Sequence, residues 1–83
     1  MDFLLKDEKI AIEVKMTRQG LKDKELAEQL IIDIANYKQH KNCKVLYCFV
    51  YNPEGLIRNP RGIEMDLQKL DKSYPVKMFI RPL

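Results

Sequence analysis

The sequence predicts an α/β domain on a mixed sheet, with its elements in the order ββαβαβ. Three observations support this: four short stretches are rich in β-branched and aromatic residues, two longer ones repeat apolar residues at helical spacing, and Gly, Pro or Asn stands at most of the joints. The chain has 83 residues, of which 46% are hydrophobic and 33% charged, so it can form an ordered core, but a thin one. One domain over residues 1–83 is expected, either as a minimal core or as the C-terminal part of a longer chain.

Residues 2–16 read Asp-Phe-Leu-Leu, a charged Lys-Asp-Glu-Lys break, then Ile-Ala-Ile-Glu-Val-Lys-Met, the pattern of a β-hairpin around a four-residue turn. Gly20 separates this from a helix running from Leu21 to about His40, in which Leu26, Leu30, Ile34 and Tyr37 form the apolar row. Residues 44–51 are β-branched and aromatic nearly throughout. Such a run without polar alternation predicts a central strand covered on both faces. A turn at Asn52-Pro53-Glu54-Gly55 follows, and Asn59-Pro60 supplies a cap and a first-turn proline for a second helix reaching about Lys72. Ser73-Tyr74-Pro75 ends that helix, and residues 76–81 form the last strand. The strand–helix–strand unit from Ile10 to Tyr51 should be a right-handed parallel crossover.

The longest apolar stretch, residues 45–51, falls far short of the ~20 residues of a membrane span, and the N-terminus lacks the pattern of a secretory signal. The cytoplasm is therefore the expected compartment. Cys43 and Cys48 are expected to be reduced, with Cys48 in the core. His40 is the only histidine, so chemistry that needs two imidazoles is excluded; an exposed position near a helix C-terminus is expected for it. The net charge of +3 is compatible with nucleic-acid binding without establishing it.

A turn centred between Asp7 and Glu8 makes paired hairpin positions sum to 15, so Phe3 faces Ile12, Leu5 faces Ile10, and Asp2 faces Glu13. Side-chain alternation then puts Phe3, Leu5, Ile10, Ile12, Val14 and Met16 on one apolar side, and Asp2, Glu13 and Lys15 on the other. Two opposed carboxylates repel unless a cation lies between them. Hard oxygen donors favour Mg²⁺ or Mn²⁺, and Lys15 would stand ready to hold a water or stabilise charge on a phosphate. The competing interpretation is an ordinary hairpin whose wet face carries these three residues.

The pattern Asp2…Glu13-Val14-Lys15 resembles the Asp…(Asp/Glu)-x-Lys signature of the PD-(D/E)XK nuclease superfamily. The longer wording is similar to the DpnII/MboI-type restriction endonuclease domain of phage-defence systems: Ile-Glu-Val-Lys-Met-Thr-Arg-x-Gly-Leu at residues 12–21, Glu-Gln-Leu-Ile-Ile-Asp-Ile-Ala-x-Tyr-Lys at 28–38, Cys-Phe-Val-Tyr-Asn-Pro-Glu-Gly at 48–55 and Asn-Pro-Arg-Gly-Ile-Glu at 59–64. The resemblance covers residues 2 to about 67. It implies a restriction-endonuclease-like fold, metal-dependent hydrolysis of DNA, metal ligation by Asp2, Glu13 and the Val14 carbonyl, orientation of the attacking water by Lys15, and support from Gln29. The sequence departs from the family in two respects. The superfamily core normally begins with a helix before the hairpin, whereas only Met1 precedes Asp2, and Asn52 stands where close relatives are expected to carry aspartate.

Thr17, Arg18, Lys22 and Lys24 follow the motif near the expected C-terminal end of its strand, and Arg58 and Arg61 flank the second helix start; all six are candidate DNA phosphate contacts, or else ordinary solvated cations and a loop threonine. Glu25, Gln29, Asp33 and Asn36 form a helical row that either faces the site or lies exposed. Tyr37, Tyr47, Phe49 and Tyr51 are expected in the core. A homodimer is expected to cover an apolar sheet face left bare by the absent helix. The alternative is a catalytically silent module that keeps the fold for DNA or protein binding.

Overall fold

Lys9, in the left-handed region at φ 59°, closes the turn that joins β1 (Phe3–Leu5) to β2 (Ile10–Met16) in the computed structural model, which describes residues 3–82. Phe3 pairs with Ile12, Leu4 with Ala11 and Leu5 with Ile10, the antiparallel register predicted from the sum of 15. Asp2 lies outside the described residues. After Gly20, at φ 85°, come α1 (Asp23–Gln39), β3 (Val45–Tyr51), α2 (Pro60–Gln68) and β4 (Val76–Arg81). β3 is parallel to both β2 and β4, giving one mixed sheet in the order β1-β2-β3-β4. The ββαβαβ order is therefore observed.

The strand order places both helices on one side. Two successive right-handed crossovers that step in the same direction across a sheet leave their helices on the same face. Accordingly Leu26, Leu30 and Ile34 of α1 and Ile63 and Leu67 of α2 join Ala11, Leu46, Cys48, Val50, Met78 and Ile80 in one core. The other face has no helix over it among the described residues. Phe3 and Phe49 are 59% and 42% exposed, and Leu5, Val14, Met16 and Tyr51 are also open to solvent. This corrects the expectation of a central strand covered on both faces: β3 is interior to the sheet, but only Leu46, Cys48 and Val50 are buried. Phe49 and Tyr51 are likewise not core, and Tyr47 is only half-buried. Phe49 instead stacks on Phe79, with ring centroids 5.2 Å apart.

α2 is shorter than predicted. A competing turn captures the chain after Gln68: the Asp71 carboxylate accepts from the Ser73 amide at 2.9 Å and hydroxyl at 2.6 Å, while the Tyr74 amide donates to the Asp71 carbonyl at 3.2 Å. Local side-chain bonding of this kind offers the backbone an alternative to helix. On its inner side α2 protects the edge strand, because Glu64 accepts from the Ile80 amide at 2.7 Å and Gln68 from the Met78 amide at 2.9 Å. One helical turn rises ~6 Å over four residues and a strand advances ~6.6 Å over two, so an i, i+4 pair matches alternate strand amides. Cys43 and Cys48 are both buried. No helix among the described residues is long and apolar enough to cross a membrane.

Candidate active site

Ala11, Glu13 and Lys15 point to the helix-covered face of β2. Glu13 lies level with Cys48, and Lys15 with Val50. Above them α1 repeats the spacing match seen between α2 and β4: Tyr37 reaches Glu13, and Asp33, one turn earlier, reaches Lys15. The Tyr37 hydroxyl donates to Glu13 Oε1. The Lys15 ammonium stands 3.0 Å from Asp33 Oδ2, a close ion pair whose angles fall outside those of a hydrogen bond. Both charged side chains are largely shielded, at 22% and 28% exposure. Glu13, Asp33, Asn36, Tyr37 and His40 together line a cleft of about 290 Å³.

This arrangement overturns the wet-face interpretation for Glu13 and Lys15. The polar residues of β2 lie under a helix, and its apolar Val14 and Met16 face water. Removing charges from water costs several kcal/mol per ion before pairing repays any of it, so stability alone gives little reason to put them there. The helix fixes a carboxylate and an ammonium on one face of β2; Glu13 lines the cleft, and Lys15, which does not, is held to Asp33 at its wall, where a positioned charge acts strongly on a reacting group.

Of the helical row, Asp33 and Asn36 line the cleft. Gln29, one turn before Asp33, is half-buried and does not line it, and Glu25 is exposed. Tyr37 was expected only as core; its ring is buried as predicted, and its hydroxyl is the polar tip that reaches the site. The signal for it was its place four residues after Asp33. His40 is exposed at the C-cap of α1, as expected, with its Nδ1 accepting from the Asn42 amide at 3.1 Å.

Among the candidate DNA contacts, Lys22, Lys24 and Arg58 share a second cleft of about 650 Å³ at the N-terminus of α1. Asp23 ties that cleft together, accepting from the Arg58 and Asn59 amides at 2.8 and 2.9 Å. Arg18 and Arg61 are exposed and do not line it. The Thr17 hydroxyl donates to the Tyr51 carbonyl at 3.1 Å, which joins the ends of β2 and β3. Asn52, 1% exposed, accepts from the Leu56 amide at 3.0 Å, a turn-holding role open to asparagine and aspartate alike.

Among the described residues no group of three or more His, Cys, Asp or Glu side chains converges as a metal site. Glu13 and Asp33 supply two carboxylates to one cleft, and hard oxygen donors of that number suit a cation that completes its shell with water and substrate. The family model for DpnII-MboI restriction endonucleases, REase_DpnII-MboI, matches residues 1–83. No curated protein and no solved structure matches the chain.

Proposed function

Because the chain belongs to the DpnII-MboI restriction endonuclease family, we propose that it is a Mg²⁺- or Mn²⁺-dependent nuclease of the PD-(D/E)XK type that hydrolyses DNA phosphodiesters at the cleft between β2 and α1. The observation carrying this reading is the inverted polarity of β2, with Glu13 and Lys15 turned under α1 and held there by Tyr37 and Asp33. Glu13, the Val14 carbonyl and Asp2, which the register sum assigns opposite Glu13, would hold the cation, with Asp33 near enough to contribute. The bound ion supplies Lewis-acid polarisation of the phosphate and a more acidic water. The Lys15 ammonium orients the attacking water and offsets charge developing on the phosphate oxygens. Tyr37 fixes the Glu13 carboxylate, and Asp33 holds the Lys15 ammonium beneath α1. Thr17, Arg18, Lys22, Lys24, Arg58 and Arg61 are the proposed DNA contacts of this reading, and Gln29 its proposed supporting residue.

The test is cleavage of plasmid DNA at matched Mg²⁺. Lys15→Ala should lower the rate by about 10²–10³-fold. Equal cleavage by parent and variant overturns the assignment. Parent protein that binds DNA with a steep salt dependence but never cleaves it, with Mg²⁺ or Mn²⁺, identifies a silent module instead.

The bare sheet face favours a second copy of the chain as its cover, since exposed apolar patches of this kind mark association surfaces. Light scattering should report a dimer that Phe49→Asp dissociates, and a parent that is monomeric at micromolar concentration counts against it.

A further inference from the structure

A third cleft, of about 250 Å³, lies at the other end of the sheet from Lys22 and Arg58, where α1 ends and β3 begins. Its lining includes Lys38, Lys41 and Lys44 together with His40, Cys43 and Tyr74, and no carboxylate. Lys38 is paired with Asp71. Lys41 and Lys44 carry no ion pair among the described residues, and both are exposed. The backbone brings a further cation close, for the Lys44 amide donates to the Lys9 carbonyl at 2.8 Å.

Complementing the negative end of the α1 dipole accounts for Lys38 and in part for Lys41. It does not account for Lys44, which lies past the helix, or for Tyr74. That residue is 5% exposed, and its hydroxyl has no hydrogen-bond partner among the described residues. A buried hydroxyl left unpaired is destabilising, so such groups normally have a partner. Burial first, then the neighbouring Cys43, pushes its pKa up to about 12, which keeps the phenol a donor at neutral pH. Two exposed, unpaired ammonium groups at a cleft with no carboxylate in its lining make a set suited to an oxyanion, with the Tyr74 hydroxyl closed to solvent beneath them.

We propose that this cleft is a second phosphate-binding site for the DNA backbone, contacted by Lys41 and Lys44. The inference rests on the nuclease reading and extends it. His40 lines both this cleft and the one holding Glu13, so the two adjoin. Lys44 lies level with Lys9, four positions before Glu13 along β2, a separation of ~13 Å at ~3.3 Å per strand residue. At ~3.4 Å per nucleotide along a duplex axis, that corresponds to about four nucleotides from the proposed scissile bond. The backbone would then be held on both sides of the catalytic cleft, by Lys22 and Arg58 on one side and by Lys41 and Lys44 on the other.

The experiment measures binding of the full chain to a fluorescent DNA duplex without divalent metal, across a range of salt concentrations. For the double variant Lys41→Gln with Lys44→Gln, the slope of log K against log salt should fall by about 2 from the parent value, with Tm unchanged. A double variant with the parent slope overturns the proposal. The variant Lys22→Gln with Lys24→Gln separates this result from the earlier reading: a lowered slope there alone keeps the nuclease interface and rejects the new site, and parent protein that binds no DNA rejects both. Inorganic phosphate that binds the parent but not the double variant, while both bind the duplex equally, would identify a site for free phosphate rather than for DNA, and would also overturn the proposal.

Discussion

The two faces of β2 differ in the opposite sense from an ordinary amphipathic strand. One face sets Glu13 and Lys15 beneath α1, and the other shows Val14 and Met16 to solvent. Each face departs from the arrangement that minimises free energy in an isolated molecule, but for different reasons. Charges under a helix are costly unless they are paired, and here each has a specific partner on α1. Apolar side chains in water are costly unless something covers them. On the proposed function, the first face serves chemistry within the chain and the second association with another.

The most direct way to break this comparison is to keep the geometry of the first face and remove its charge. Glu13→Gln retains an oxygen to accept from Tyr37 but loses the carboxylate, so cleavage should fall by about 10²–10⁴-fold with Tm held or raised. Cleavage that survives the change would mean the buried charges serve structure only. The next effect is on stability, and it weighs the two faces of the sheet against each other. Leu30→Ala, at a fully buried position, should cost about 2–5 kcal/mol in urea denaturation, whereas Phe49→Ser, on the bare face, should cost little in dilute protein. A penalty for Phe49→Ser that grows with protein concentration would show the second face covered by another copy.

Most of the fold could be read from the sequence because its signals were local. The turn at residues 6–9 set the hairpin register by arithmetic, and the apolar row Leu26, Leu30, Ile34, Tyr37 fixed the buried side of α1. The coverage of β3 was not legible, since Val45–Tyr51 reads the same whether one helix layer or two pack on it. Strand order decides that, and strand order is set by tertiary pairing. In the site, Glu13 and Lys15 were legible as neighbours on one face. Which way that face turned was not, because a half-apolar hairpin satisfies the pattern in either orientation. Tyr37 was hidden by its own ring: ordinary core spacing gives no sign that the hydroxyl at its tip reaches a carboxylate.

That hydroxyl gives a smaller, sharper test. Tyr37→Phe preserves the packing and removes one charge-assisted hydrogen bond, so a positioning role predicts a several-fold fall in kcat with KM unchanged and little loss of Tm. A matched rise in KM would place the tyrosine in substrate binding instead.

The smallest effects come from a second ion pair that α1 itself provides. Lys38 holds Asp71 at the open edge of the fold, and that bond, followed by those from Ser73, lowers the Asp71 pKa from the usual 3.8 to about 2. A depressed carboxylate pKa contributes stability that is complete above the unfolded value and disappears as pH falls toward 2. Asp71→Asn should therefore flatten the acid limb of the stability curve between about pH 4 and pH 2, and added salt should shrink the difference, because exposed pairs are screened. The Lys15–Asp33 pair beneath the same helix is more shielded. If the Lys15→Ala and Asp71→Asn stability differences respond to salt alike, the distinction between the covered face of β2 and the open surface loses its electrostatic content. A weaker response at Lys15 is expected.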